Sequence, residues 1–213
     1  MLDRAVVAFD FRGDNYLLRQ DEGRFHYRRT YVDSLGRAVR EGLTNDGIYR
    51  VVEGDTVELS ATERDAVRTT VNSVRYFALL PEPLEDSAVQ PVYSGRDTIG
   101  GVAYHRIKVT FRKEGGGDDW QDVFMYWFHT DTYAMDYLAY AFGQGPSEED
   151  SGTRFREAYN VRWVNGIRVA DYYNYTVDTL NAGQMAQYPD LWAQDAARLV
   201  SRIEIDSVQV RPL

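Results

Sequence analysis

The sequence predicts a mainly β protein of the α+β class: a single curved antiparallel sheet wrapping one long helix, with a short C-terminal helix and a final strand. Three observations predict it. Strand-like alternation of apolar and polar residues recurs along most of the chain. The connections carry hairpin chemistry, above all at Asn165-Gly166. One amphipathic helix with a complete start signal interrupts the strands after the first group of them.

Val7, Phe9 and Phe11 alternate with Ala8, Asp10 and Arg12, as in a half-buried strand. Phe25, Tyr27, Arg29 and Tyr31 continue the pattern after a turn near Asp21-Glu22-Gly23. Ser34-Leu35-Gly36 and Asp46-Gly47 mark two further hairpins, and Val57 and Leu59 close this N-terminal meander. Ser60 and Glu63 then form a capping box. Val67, Val71, Val74 and Ala78 follow at helical spacing, so a helix is predicted over about 61–80. Val67, Val71, Val74 and Phe77 are its core face, and Pro81 and Pro83 stop it. "PEPLEDSAVQP" reads as an irregular connection. In "YHRIKVTF", His105, Ile107, Val109 and Phe111 share one face of a strand.

"VFMYWFHTDTYAMDYLAYAF", Val123 to Phe142, is long enough to span a bilayer. Asp131 and Asp136 would each cost about 2.5–3.5 kcal/mol there, against about 0.3–0.6 kcal/mol returned by each Leu, Val or Phe. A spanning helix is therefore rejected. The stretch reads as a hairpin turning at Thr130–Thr132, apolar on both faces. Met125, Trp127 and His129 share one face; Phe124, Tyr126 and Phe128 share the other. One helix can cover only one of them, so the second needs another cover: a ligand, an upstream segment or a second copy. Asp136 must face solvent or a hydroxyl.

"TRFREAYNVRWV" and "IRVADYYNYTV" flank Asn165-Gly166, a type I′ signal. Trp192, Ala196 and Leu199 suggest a short helix, and "IEIDSVQV" a final strand. "GQGPSEEDSG" has loop composition. With no repeat or linker, residues 1–213 read as one domain. Strand alternation begins within a few residues of Met1, which leads us to expect a leader, and an upstream helix, preceding this chain.

The net charge of -9 argues against nucleic acid or an anionic membrane surface as a direct electrostatic partner. The chain has no cysteine, which excludes thiolate, disulfide and iron–sulfur chemistry. It contains neither G-x-S-x-G nor H-E-x-x-H. Glu157 shares a strand face with Phe155 and Tyr159 and so points inward; a hydrolase would need it to converge with Asp171 and one of His26, His105 and His129. Lys108 shares its face with Arg106, a poor setting for a Schiff-base lysine. Asp118, Asp119 and Asp122 cluster in "GGGDDWQD", but the spacing is not that of an EF-hand loop. Neither a metal nor a cofactor is expected.

The informative anomaly is the aromatic load of 16 Tyr, 9 Phe and 4 Trp. Many tyrosines fall at alternating strand positions, including Tyr27, Tyr31, Tyr137, Tyr159, Tyr173 and Tyr175. Buried tyrosines either pack a core or line an amphipathic cavity. The candidate ligand-binding residues are Trp127, Tyr137 and Tyr159, with Tyr27, Tyr173, Glu157 and His129.

"VAFDFRGDNY", "TNDGIYR", "NSVRYFALLPEPLED", "YHRIKVTF", "GGGDDWQDVFMYWFHTDTYAMDYLAY" and "RFREAYNVRWVNGIRVADYYNY" resemble an uncharacterised family of exported bacterial proteins and lipoproteins from Bacteroidota and their relatives. The resemblance covers roughly residues 5 to 180. It implies export behind a leader, with a helix upstream of the "FDFR" strand; it brings no catalytic residues. The order of elements is also similar to the LolA-like lipoprotein-carrier fold, an open antiparallel half-barrel that binds lipid chains. Together these imply a periplasmic or outer-membrane-anchored protein that holds a lipid or other amphipathic ligand in a tyrosine-rich concavity. A structural or interaction protein of the envelope, with a protein partner or as a homodimer, is the alternative. A hydrolase using Glu157 and a histidine is the second.

Overall fold

The computed structural model describes residues 2–114, 120–144 and 151–213. Asp118 and Asp119 of the acidic loop lie outside these residues, as do 145–150 of "GQGPSEEDSG". The protein is mainly β, with few helices. Its strands pair into two open antiparallel sheets of seven, where the sequence pattern suggested one. Contacts divide the chain into two compact units: residues up to Pro83 with 161–170 and 204–213, and residues 84–160 with 171–203.

The first unit holds β1 (Arg4–Phe11), β2 (Asp14–Asp21), β3 (Arg24–Val32), β4 (Ala38–Thr44), β5 (Gly47–Val52), β6 (Asp55–Thr56) and α1 (Ala61–Ala78). Arg12 and Gly13 both have positive φ, a tight turn that separates β2 from β1, which alternation alone does not do. Both bonds of the capping box form: Glu63 N–H donates to Ser60 Oγ at 3.3 Å, and Ser60 N–H to the Glu63 carboxylate at 2.9 Å. The helix ends at Ala78, with Leu79 as its C-cap. Val67, Val71 and Val74 are buried, and α1 packs on β3, β4 and β5. The same core takes in Phe9, Tyr16, Leu18, Tyr27 and Leu43, with Phe77 at its margin. Beside it Glu41 is fully buried between two guanidiniums, Arg29 at 3.2 Å and Arg50 at 2.9 Å. A charge so placed is tolerated only because it is paired on both sides.

The second unit's sheet comprises β7 (Val89–Ile99), β8 (Val102–Phe111), β9 (Val123–His129), β10 (Met135–Phe142), β11 (Gly152–Val164), β12 (Ile167–Thr176) and β13 (Arg198–Ile203). The β11–β12 tip, 161–170, is counted with the first unit. That hairpin closes through Asn165 (φ 47) and Gly166 (φ 81), as a type I′ turn requires. β9 and β10 form the expected hairpin around Thr130–Thr132. Asp136 sits where the β9–β10 register shifts and accepts a hydrogen bond from Tyr104 Oη at 3.2 Å.

Three local expectations need correcting. Residues 89–99 form a strand rather than the end of an irregular connection and an unassigned stretch. Pro91 hides it in the sequence, yet β7 is an edge strand, where a missing N–H is tolerated. The C-terminal helix, α2 (Tyr188–Ala193), follows a 3-10 segment, Ala182–Gln187, and stops before Asp195, whose φ is 56. Leu199, expected on that helix, lies in β13. "IEIDSVQV" is not one strand: β13 ends at Ile203 and pairs with β12, while β14 (Asp206–Pro212) pairs with β1 in the other sheet.

Candidate functional site

Alternation gives the β8–β10 wall of the second unit two aromatic faces, and the chain treats them differently. On the first, Trp127 and Phe155 are fully buried and meet edge to face at 5.8 Å. Their cover is the 182–193 segment: Met185 and Tyr188 are fully buried in the same cluster, and Trp192 packs against it. Tyr188 stacks on Phe155 at 5.4 Å, and its hydroxyl meets Thr153 Oγ1 at 2.7 Å. Trp127 Nε1–H donates to Asp97 Oδ2 at 2.6 Å, and Arg106 holds the same carboxylate at 2.9 Å. Ring surface, indole N–H and phenol are all satisfied within the unit.

The sequence-derived candidates fall around this filled face without forming one site. Trp127 lies inside it. Tyr137 is half-buried, stacked on Phe155 at 5.6 Å and edge-on to Tyr104 at 5.4 Å and Trp192 at 5.8 Å. Burial, reinforced by the Glu157 and Asp136 carboxylates, pushes its hydroxyl up to about 12. Glu157 accepts a hydrogen bond from Tyr175 Oη at 3.0 Å. Tyr159 and Tyr173 stack on each other at 4.0 Å, with the Arg202 guanidinium 5.5 Å from the Tyr173 ring. His129 is a turn cap: its Nδ1 accepts from the backbone N–H of Asp131 at 3.1 Å and of Thr132 at 3.3 Å. Tyr27 belongs to the first unit, where it stacks on Phe25 at 4.8 Å.

The acid–base constellation a hydrolase would need is distributed among other partners. Glu157 is engaged by Tyr175, Asp171 accepts from Asn160 Nδ2 at 2.6 Å, His129 caps its turn, and His105 stacks on Tyr133 at 6.1 Å. His26 lies in the first unit and meets Tyr49 Oη at 2.7 Å. Among the described residues no cluster of three or more His, Asp or Glu is placed to hold a metal ion.

The second face is the candidate site. Phe124 is its hub: Phe111 meets it edge-on at 5.7 Å, Tyr140 stacks on it at 5.7 Å, and Tyr126 lies at 6.1 Å. Phe128 and Phe142 extend the row from Tyr126 and Tyr140. Tyr126 and Leu138 are buried, whereas Phe124, Phe128, Tyr140 and Phe142 are only half-buried. The β10–β11 register sets Arg156 opposite Leu138 and Arg154 opposite Tyr140. The guanidiniums lie over neighbouring rings, Arg156 4.8 Å from Tyr140 and Arg154 4.9 Å from Phe142, within cation–π range.

At this edge a cavity of about 410 Å³ is lined by Phe142, Gly152, Thr153, Arg154, Thr176, Asp178 and their neighbours. Gly152 helps to keep it open: a Cβ there would stand 3.1 Å from the Phe142 ring. Among the described residues Arg154 donates to neutral oxygens, Thr153 O at 2.8 Å and Thr176 Oγ1 at 3.3 Å. The carboxylate of Asp178 is shared with Arg198 at 3.3 Å. The arrangement offers rings for an apolar body and a guanidinium for an acidic or polar end. Sequence alternation places Arg154 and Arg156 opposite Glu157; their approach to Phe142 and Tyr140 depends on strand register.

The chain belongs to DUF6503, a family of unknown function whose profile matches residues 2–205. No curated protein matches the sequence. Among solved structures, a LolA superfamily protein from Nitrosomonas europaea superposes with a TM-score of 0.50 at 9% identity, over 99% of this chain and 85% of that one. A DUF1329 family protein from Desulfovibrio piger gives 0.49 at 10% identity, over 97% and 83%. At 9% identity the likeness to the LolA superfamily protein speaks for the fold alone. No helix among the described residues is long and apolar enough to cross a membrane.

Proposed function

For this member of DUF6503 we propose a binding role without catalysis: the second unit holds a lipid or other amphipathic ligand against the Phe124–Phe142 face. The observation that carries this reading is the meeting of Phe142 and Arg154 in the lining of the cavity of about 410 Å³. That volume falls within the range typical of small-ligand pockets. A fold shared with a LolA superfamily protein supports the same reading, including a half-barrel wall around α1 and a single domain over 1–213. It also supports residence in the bacterial cell envelope, periplasmic or anchored to the outer membrane after a leader is removed.

Uptake of a fluorescent fatty-acid probe by the purified protein tests the reading. Wild type binds, and Phe142→Ala, Arg154→Gln and Gly152→Val each weaken binding while the fold persists. Absence of uptake by wild type, or uptake indifferent to all three substitutions, overturns it. The second reading is a structural or interaction protein of the envelope, acting with a protein partner or as a homodimer. The packing of Met185, Tyr188 and Trp192 over Trp127 and Phe155 favours it, and it takes over if wild type binds no probe.

A further inference from the structure

The first unit carries a separate concentration of charge on the sheet face opposite α1. Strand register places Leu17, Arg28, Gly42 and Tyr49 side by side across β2–β5. Arg19, His26 and Thr44 form the adjoining row on one side; Thr30, Arg40 and Val51 form it on the other. Gly42 is the space that makes this arrangement possible. A Cβ there would run into the Tyr27 carbonyl oxygen and stand 3.1 Å from the Tyr49 hydroxyl. With no side chain in the way, Tyr49 reaches across β4, and its hydroxyl meets His26 Nε2 at 2.7 Å.

Among the described residues, two of the cations here have no counter-charge. Arg28 and Arg40 pair with no carboxylate among the described residues, and Arg28 Nε is buried with no hydrogen-bond partner. Arg19 is the exception, bound to Asp21 at 3.1 Å. In a chain of net charge -9, two unmatched guanidiniums beside an imidazole–phenol pair call for an explanation.

We propose that Arg28, Arg40, His26 and Tyr49 form a binding site for a phosphate-type oxyanion, either free or carried as a lipid head group. Guanidiniums suit such an anion because their planar N–H donors match its oxygens. The Tyr49 hydroxyl and the His26 ring add donors at the centre. The groups facing His26 are Arg19 from β2, Arg28 on its own strand, Arg40 from β4 and Tyr49 from β5. Burial, with the charges of Arg28, Arg19 and Arg40 behind it, holds the imidazole below its ordinary value, so it is neutral in the unbound protein near pH 7. An oxyanion cancels that repulsion and draws a proton onto His26, which makes binding tighter as pH falls through the histidine range.

The test is titration of the full chain with inorganic phosphate, following the His26 ring resonances by NMR. They are assigned with His26→Gln, and chloride at matched ionic strength is the control. The expected result is a phosphate-specific movement of the His26 signals with a rise of about one unit in its pKa. Arg28→Gln and Arg40→Gln should each weaken phosphate binding about tenfold. Arg40 is exposed, so its variant retains the fold even if Arg28→Gln does not. Sedimentation with vesicles of phosphatidylglycerol, against phosphatidylcholine alone, separates the sources. Capture by the anionic vesicles that Arg40→Gln abolishes identifies a head group; a response to inorganic phosphate alone identifies a free oxyanion. Signals that respond equally to chloride, or phosphate binding that survives the Arg28→Gln/Arg40→Gln double substitution, overturns the proposal.

Discussion

The two faces of the β9–β10 hairpin are drawn from the same residue types and end differently. Trp127 and its neighbours meet a complement in their own unit: Met185 and Tyr188 cover the rings, and Asp97 takes the indole proton. Phe124, Tyr140 and Phe142 remain half-buried, edged by Arg154 and Arg156. Aromatic content alone therefore does not mark a site, because close-packed interiors are as rich in rings as pockets are. What distinguishes the Phe124–Phe142 row from the Trp127–Phe155 pair is partial exposure together with cations that lie against rings.

The largest effect expected is on the filled face. Trp127→Ala removes a fully buried indole and leaves Asp97 without one of its donors, at about 3–5 kcal/mol by chemical denaturation. Probe affinity per folded molecule should hold. If affinity falls while stability does not, the roles of the two faces are reversed. Arg154→Gln should do the opposite: about a tenfold loss of affinity for an acidic probe, with stability within about 0.5 kcal/mol of wild type. Equal loss for a neutral probe would show that Arg154 only supports Phe142.

Tyr140→Phe removes the hydroxyl that accepts from Arg156 Nη2 at 3.2 Å. A cost of about 0.5–1.5 kcal/mol in thermal denaturation is expected, with the ring's contribution to binding retained. The smallest effect is confined to alkaline solution. Tyr137 keeps its proton in the folded protein to about 12, against an ordinary value of 10.0. The folded state thus binds the proton more tightly, so its contribution is complete below 10 and is lost as pH rises toward 12. Tyr137→Phe should flatten that limb of the stability curve; an unchanged limb would mean the hydroxyl is better hydrated than its position beside Phe155 and Trp192 implies.

Much of the site's framework is legible in residue order. The turn at Thr130–Thr132 and the opposite placement of Trp127 and Tyr126 follow from alternation and turn chemistry, which leave Asp136 to face solvent or a hydroxyl; the structure decides for Tyr104 Oη. The position of the cover does not. Met185 and Tyr188 lie in a short segment with no long periodicity, and only its packing on Phe155 reveals what it does. Tyr159 and Tyr173, read as separate candidates, are each other's stacking partner because β11 and β12 adjoin.

By itself the sequence determined the features whose causes lie within a few residues. The Ser60–Glu63 box starts α1, Asn165-Gly166 turns β11 into β12, and the spacing of Val67, Val71 and Val74 assigns the buried side of the helix. Each is set by local hydrogen bonds, by φ or by helical period. Only the tertiary structure decided that β13 and β14, two residues apart, join different sheets, that Pro91 lies in an edge strand, and that Arg154 comes to rest over Phe142. Those outcomes depend on which strands pair and in what register. Pairing is a competition among distant segments for the same backbone hydrogen bonds and the same buried area, and no short window of sequence contains both competitors.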